Sequence, residues 1–151
     1  MGRGQQPPAS SEHARRTMQA NPGKNTQPEL LLRRLLCSAG YPGYRLHWKK
    51  VPGRPDIAYP GRRVAIFVNG CFWHACPCCR KTMPATNVEF WAEKLAATKE
   101  RDLRHVAELK AFGWRVLTVW ECQLARDPAA ETARVVAILR EQEDQVASRQ
   151  R

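Results

Sequence analysis

The sequence predicts an α/β sandwich built on a mixed sheet, and three observations carry that expectation. Two apolar runs, residues 64–68 and 114–120, read as strands. One long amphipathic stretch between them reads as a helix, so the pair forms a strand–helix–strand crossover with parallel strands. Shorter candidate strands broken by Gly and Pro precede the first run, so the rest of the sheet need not be parallel. A chain of 151 residues is long enough for one domain with one core.

The elements follow in order. Residues 1–26 are rich in Gly, Gln, Pro, Ser and Arg and read as a mobile basic arm, with a helical turn or two around residues 13–20. The folded domain is expected over 27–151. Its first helix starts at Thr26-Gln27-Pro28-Glu29, with Thr26 or Gln27 as cap, Pro28 in the first turn and Gly40 past the end. Leu31, Leu32, Leu35 and Leu36 form its buried stripe. Residues 44–49 read as a strand, and Pro52-Gly53-Arg54-Pro55 as a corner. Strands at 57–59 and 63–68 are joined at Pro60-Gly61. Asn87 caps a long helix ending at Gly113, with Val88, Trp91, Leu95, Leu103 and Val106 inward. A strand at 114–120 and an amphipathic helix at 132–143 complete the order α-β-β-β-α-β-α.

Lys and Arg number 25 against 14 Asp and Glu, a formal charge of +11. A surplus that large on a small domain favours a polyanionic partner, nucleic acid being the commonest. No apolar run approaches the ~18 residues of a membrane span, and the first residues lack the apolar stretch of a signal peptide. The expectation is a cytoplasmic protein, where disulfides are rare. Six cysteines in such a chain point to metal.

Cys71, Cys76, Cys78 and Cys79 lie within nine residues, just past one apolar strand, and Cys122 lies just past the other. If the strands are neighbours, their ends bring Cys122 to the cluster. Four soft thiolates in a tetrahedron select Zn²⁺, and a filled tetrahedron is structural. Cys71, Cys76, Cys78 and Cys122 are the assigned ligands, with Cys79 competing for the place of Cys78. Cys37 reads as a small core residue of the first helix.

Three polar residues have types suited to hydrolysis. Asp56 follows Pro55 on a stiff corner and opens a strand, although most Pro-Asp pairs are plain turns. His74 sits between cysteines and is either a ligand or, near a cation-activated water, a general base. Glu29, in the first turn of its helix, offsets the helix dipole or joins the site. Asp56 and the backbone carbonyl of Val68 are placed to share a Mg²⁺ ion, which phosphodiester hydrolysis employs.

Taken together, Pro52-Gly53-Arg54-Pro55-Asp56, Gly70-Cys71-Phe72-Trp73-His74, Pro84-Ala85-Thr86, Glu89-Phe90-Trp91, Glu100-Arg101-Asp102, Gly113-Trp114-Arg115-Val116 and Val119-Trp120-Glu121-Cys122 resemble the very-short-patch repair endonucleases. Met18 with Arg15 and Arg16 resembles that family's N-terminal arm. The resemblance spans residues 12–125. It implies a restriction-endonuclease-like fold with one structural zinc. It also implies Mg²⁺-dependent nicking of duplex DNA 5′ of the thymine in a T:G mismatch left by deaminated 5-methylcytosine. Carried over by position, Asp56 is the catalytic metal ligand, His74 the catalytic histidine and Glu29 an accessory acid. Cys71, Cys76, Cys78 and Cys122 take the zinc positions, with Cys76 where some relatives carry histidine. Phe72, Trp73 and Trp91 are the aromatics that wedge into the base stack. The implied partner is double-stranded DNA with a T:G mismatch, with mismatch-repair proteins as further candidates; no membrane is involved, and a monomer is expected.

One position departs from the family pattern, and one stretch departs from the broader nuclease signature. Asn69 stands where relatives carry His or Asp, so it joins the catalytic set as a hydrogen-bond acceptor and not as a base. The Glu-x-Lys half of the broader nuclease signature is replaced by Ile66-Phe67-Val68, as in this family. Competing expectations are a non-catalytic zinc-stabilised DNA-binding module, an endonuclease of another specificity, and an RNA-binding zinc protein.

Overall fold

The computed structural model describes residues 24–72, 74, 76–78 and 85–150. The expected arm contacts of Arg15, Arg16 and Met18, the ring of Trp73 and the thiol of Cys79 lie outside the described residues.

The chain forms a four-stranded mixed sheet flanked by helices. Helix α1 covers Gln27–Ser38, and Thr26 caps it by accepting from the Glu29 amide at 3.4 Å. Strands β1 (Arg45–Leu46), β2 (Ile57–Tyr59) and β3 (Val64–Asn69) follow, then helix α2 (Val88–Ala111) and strand β4 (Arg115–Trp120). Helices α3 (Glu121–Arg126) and α4 (Pro128–Arg149) close the chain. The sheet order is β1-β2-β3-β4. The first two pairings are antiparallel, and β3 runs parallel to β4 from Val64 opposite Arg115 to Asn69 opposite Trp120. The crossover through α2 is the expected one.

Strand alternation divides the sheet into two faces. Val64, Ile66, Val68, Leu117 and Val119 turn to one core with Leu32 and Leu36 of α1, Leu124 of α3 and Val135, Val136 and Leu139 of α4. Phe67 points the other way, towards His105 of α2. Among the described residues no helix is long and apolar enough to cross a membrane.

Several expectations are corrected. Only Arg45–Leu46 of the expected 44–49 strand pairs, both residues exposed at the sheet edge. The last helix begins at Pro128, capped by the Asp127 side chain on the Ala130 amide, and α3 precedes it. Asn87 occupies the N-cap of α2 in a left-handed conformation and makes no side-chain cap bond. Cys37 is exposed, because the buried stripe of α1 runs Glu29, Leu32, Leu36 and leaves Cys37 about a quarter-turn away. On α2, Leu103 is 62% exposed and Val88 50%. The inward face runs through Trp91, Leu95, Thr98, Asp102, His105, Val106 and Leu109. Leu103 falls about a third of a turn from its centre, and Val88 lies on its margin at the first helical residue.

Candidate active site and thiol cluster

The corner before Asp56 is fixed by packing. Gly53 has φ +79°, and a Cβ there would lie 2.9 Å from His105 Cβ and 3.0 Å from Phe67 Cζ. Only glycine allows α2 and β3 to approach the corner this closely. Pro55 is buried, and its carbonyl accepts from the Trp48 amide at 3.2 Å. The chain then enters β2 with Asp56 as its preceding residue. The Asp56 carboxylate reaches across to β3, where Oδ2 accepts from the Val68 amide at 2.8 Å.

Three elements converge on this carboxylate. Glu29 comes from the first turn of α1 and is 2% exposed. That burial is more than a dipole-offsetting surface acid would show. Its Oε2 accepts from the Asn25 amide at 2.9 Å and from Arg33 at 3.1 Å. His47, just past β1, places Nε2 3.6 Å from Glu29 Oε2 and Nδ1 3.7 Å from Asp56 Oδ1. One ligand atom from each of Glu29, His47 and Asp56 lies within 4.8 Å of the others. Burial pushes the Asp56 carboxyl up to about 7; the Val68 amide opposes the shift, while the charge and hydrogen bond of Glu29 add to it. Burial holds the His47 imidazole below its ordinary value; Glu29 opposes this, and Arg33 and Lys24 reinforce it. A buried carboxyl that favours a proton, with a second carboxylate beside it, is a donor set that a hard divalent cation relieves.

A second pair stands nearby. His74 Nδ1 lies 2.5 Å from Asp102 Oδ2 on α2. The acid fixes the Nδ1–H tautomer and leaves Nε2 as the basic nitrogen. His74 is near enough to Asp56 to favour its ionised form. Asn69 ends β3 and is buried.

The parallel register brings the thiols together. Asn69 lies opposite Trp120, so Cys71 and Cys122 each sit two residues past a paired strand end. The Sγ atoms of Cys71, Cys76 and Cys122 lie within 4.8 Å of one another. Those of Cys76 and Cys122 are 3.6 Å apart, close to the ~3.8 Å that two thiolates on one tetrahedral Zn²⁺ require. The Cys122 amide donates to Cys71 Sγ at 3.3 Å and the Cys78 amide to Cys76 Sγ at 3.4 Å. Such amide bonds favour thiolates. The donor set fits a soft metal ion. Cys78, the fourth assigned ligand, is exposed, and its Sγ accepts from Gln123 Nε2 at 3.1 Å; it stands beside the three-thiol group and outside it.

The aromatics stack on α2. Phe72 and Trp91 meet edge to face with centroids 5.5 Å apart, and Phe90 meets Trp91 at 5.3 Å. Trp91 is 2% exposed and Phe72 is partly exposed. Phe72 is therefore the outer ring, with Trp91 behind it.

Two residues of these clusters were not singled out from the sequence. Asp102 lies inside the Glu100-Arg101-Asp102 motif, and helical spacing from Trp91 puts it on the inward face. His47 is signalled only by the β1–β2 register, in which Arg45 pairs with Ala58 and Leu46 with Ile57, so that the next pair is His47 and Asp56.

Comparison with known proteins shows the family. The family described as DNA mismatch endonuclease Vsr matches residues 10–80. The type II nicking enzyme V.XorIIP of Xanthomonas oryzae pv. oryzae is 46% identical over 130 residues, covering 86% of this chain and 94% of its own. The type II nicking enzyme V.NmeAIP of Neisseria meningitidis is 37% identical over 123 residues, 82% of this chain and 86% of its own. The DNA mismatch endonuclease Vsr of Escherichia coli K12 is 42% identical over 109 residues, 72% of this chain and 69% of its own. With likeness of that extent running through the corner, the thiol segment and α2, the chain belongs to the Vsr family of DNA mismatch endonucleases.

Proposed function

We propose that the protein nicks duplex DNA on the 5′ side of the thymine in a T:G mismatch, by Mg²⁺-dependent phosphodiester hydrolysis on a restriction-endonuclease-like fold. The observation that carries this reading is the meeting of Asp56 and Glu29 at β3, with the His74–Asp102 pair beside them. Asp56 and the Val68 carbonyl would hold Mg²⁺, with Glu29 orienting its water. When bound, the ion would supply charge stabilisation at the phosphate. His74, held by Asp102, takes a proton from the attacking water through Nε2. Asn69 accepts a hydrogen bond beside it. A structural Zn²⁺ on Cys71, Cys76 and Cys122, with Cys78 turning in as fourth ligand, would pin the segment that carries His74.

Mismatch selectivity is assigned to Phe72 and Trp73 as a wedge backed by Trp91, with Met18, Arg15 and Arg16 holding the duplex from the other groove. A wobble pair stacks less well, so opening the step beside it costs less of the few kcal/mol that unstacking requires. The test uses end-labelled duplexes, one with T:G and one fully paired, incubated with Mg²⁺. A nick 5′ of the thymine in the first alone is expected. Equal cutting of both would end the specificity claim, and cutting of neither the nuclease claim. Trp73→Ala should lose T:G nicking by far more than low-salt binding, with metal content unchanged.

A further inference from the structure

We propose that His47 is a positioning residue for the nucleolytic reaction: held in one tautomer by Arg33, its imidazole turns an N–H towards Asp56 and orients that carboxylate for a divalent cation. The proposal rests on reading Asp56 as a cation ligand.

Backbone pairing puts the two residues face to face. The β1–β2 register continues past its last strand pair, and the His47 amide donates to the Asp56 carbonyl at 3.2 Å. His47 then turns with φ +45°, a left-handed conformation uncommon for a residue with a side chain. Its side chain is 16% exposed, with Glu29, Arg33 and Asp56 about it.

Arg33 decides the tautomer. Its Nη2 lies 3.2 Å from His47 Nε2. A guanidinium has donors and no acceptor, so Nε2 offers its lone pair and the ring proton of a neutral imidazole is on Nδ1. The same Nη2 also donates to Asn25 Oδ1 and Glu29 Oε2, at 2.9 and 3.1 Å, so its two N–H groups are shared among three acceptors. The Nδ1–H thus faces Asp56 Oδ1 at 3.7 Å. That is longer than a formed hydrogen bond, and such contacts in uncomplexed sites commonly tighten when substrate binds. The Val68 amide already holds Oδ2. One donor per oxygen sets the plane of the carboxylate and leaves a lone pair on each oxygen for a cation. The same tautomer argues against His47 as a direct third ligand with Glu29 and Asp56, because Nε2 is taken by Arg33 and Nδ1 carries its proton.

The test combines spectroscopy and kinetics on the full chain. Nitrogen NMR of histidine-labelled protein, with His47 assigned through the His47→Gln variant, should show the neutral Nδ1–H form. Arg33→Met should release it to a mixture. His47→Phe should raise the half-saturating Mg²⁺ concentration or lower kcat by about 10- to 100-fold, the usual effect of losing a partner that orients a metal ligand. KM for duplex should stay within about twofold. His47→Asn, whose amide N–H stands near the place of Nδ1–H, should recover most of the loss. An Nε2–H tautomer in the wild type overturns the proposal, and does so even if His47→Phe fails to fold. A nitrogen hyperfine coupling from His47 to bound Mn²⁺ overturns it in favour of direct ligation. Asp56→Asn separates the two levels. If it retains full activity, the underlying reading fails. If it is inactive while His47→Phe keeps wild-type kinetics, only the role of His47 fails.

Discussion

At the scale of single residues, Asp56 sets how the site answers to pH. Its carboxyl titrates near 7, chiefly because burial penalises the charge. A cation must displace that proton. Between pH 8 and pH 6 the ionised fraction falls about tenfold, so the half-saturating Mg²⁺ concentration should rise about tenfold; a flat dependence measured in nicking assays would exclude Asp56 as the ligand. Stability follows the opposite sign. A carboxyl raised above its unfolded value leaves the folded state holding the extra proton, so the Asp56 contribution is intact below about pH 4 and is lost as pH rises through 7. Without divalent cation, Asp56→Asn should therefore melt above the wild type at pH 8, with the gap closing towards pH 4. Asp56 and Glu29 are singled out by the family resemblance, since a carboxylate after a proline corner and another opening a helix read by themselves as a turn and a dipole offset. His47 and Asp102 are not, because each gains its role from a neighbour distant in sequence: a cross-strand pairing for His47, and the segment after β3 for Asp102.

At the scale of elements, the parallel pair β3–β4 does most to build the site. It delivers Val68 to the Asp56 carboxylate and, two residues past its ends, Cys71 and Cys122 to the thiol cluster. The meeting of Cys122 with the cluster was legible in sequence, since two apolar strands around one helix leave few topologies. The inward face of α2 was legible in part, through Trp91, Leu95 and Val106. Apolar spacing selects Leu103, whereas the partly buried face also carries Thr98, Asp102 and His105, polar residues that hydrophobicity cannot flag. β1 was overextended because an edge strand of two residues has no periodicity to read. Losing a thiolate should act on the whole strand end, because metal-binding energy at such a cluster is also folding energy. Cys71→Ser and Cys122→Ser should each abolish the one Zn²⁺ per chain and lower the melting temperature. Elemental analysis finding no metal in a wild-type protein of ordinary stability would refute the zinc assignment.

At the scale of the whole molecule, a charge of +11 dominates encounter with DNA. Each phosphate neutralised adds about 0.9 to the slope of log affinity against log salt, so four or more contacts predict a loss of about a hundredfold or more between 50 and 200 mM salt. Fluorescence anisotropy with a paired and a T:G duplex should give the same slope for both, since the mismatch adds stacking and no new phosphate. A steeper slope for T:G would mean that the basic surface itself reads the lesion.

The register that joins Cys71 and Cys122 also imposes an order in time. The segment after β3 can gather Cys71 and Cys76 locally, yet Cys122 is 46 positions beyond Cys76 and arrives only when α2 has formed and β4 has docked. Parallel pairing across so long a connection is a slow class of folding event. If the cluster takes the proposed Zn²⁺, a nascent chain would hold it by a partial grip until the final strand is in place. Complete enclosure of that ion would then be the signature of a finished sheet, and a chain truncated before β4 should be recognised by how readily a chelator strips it.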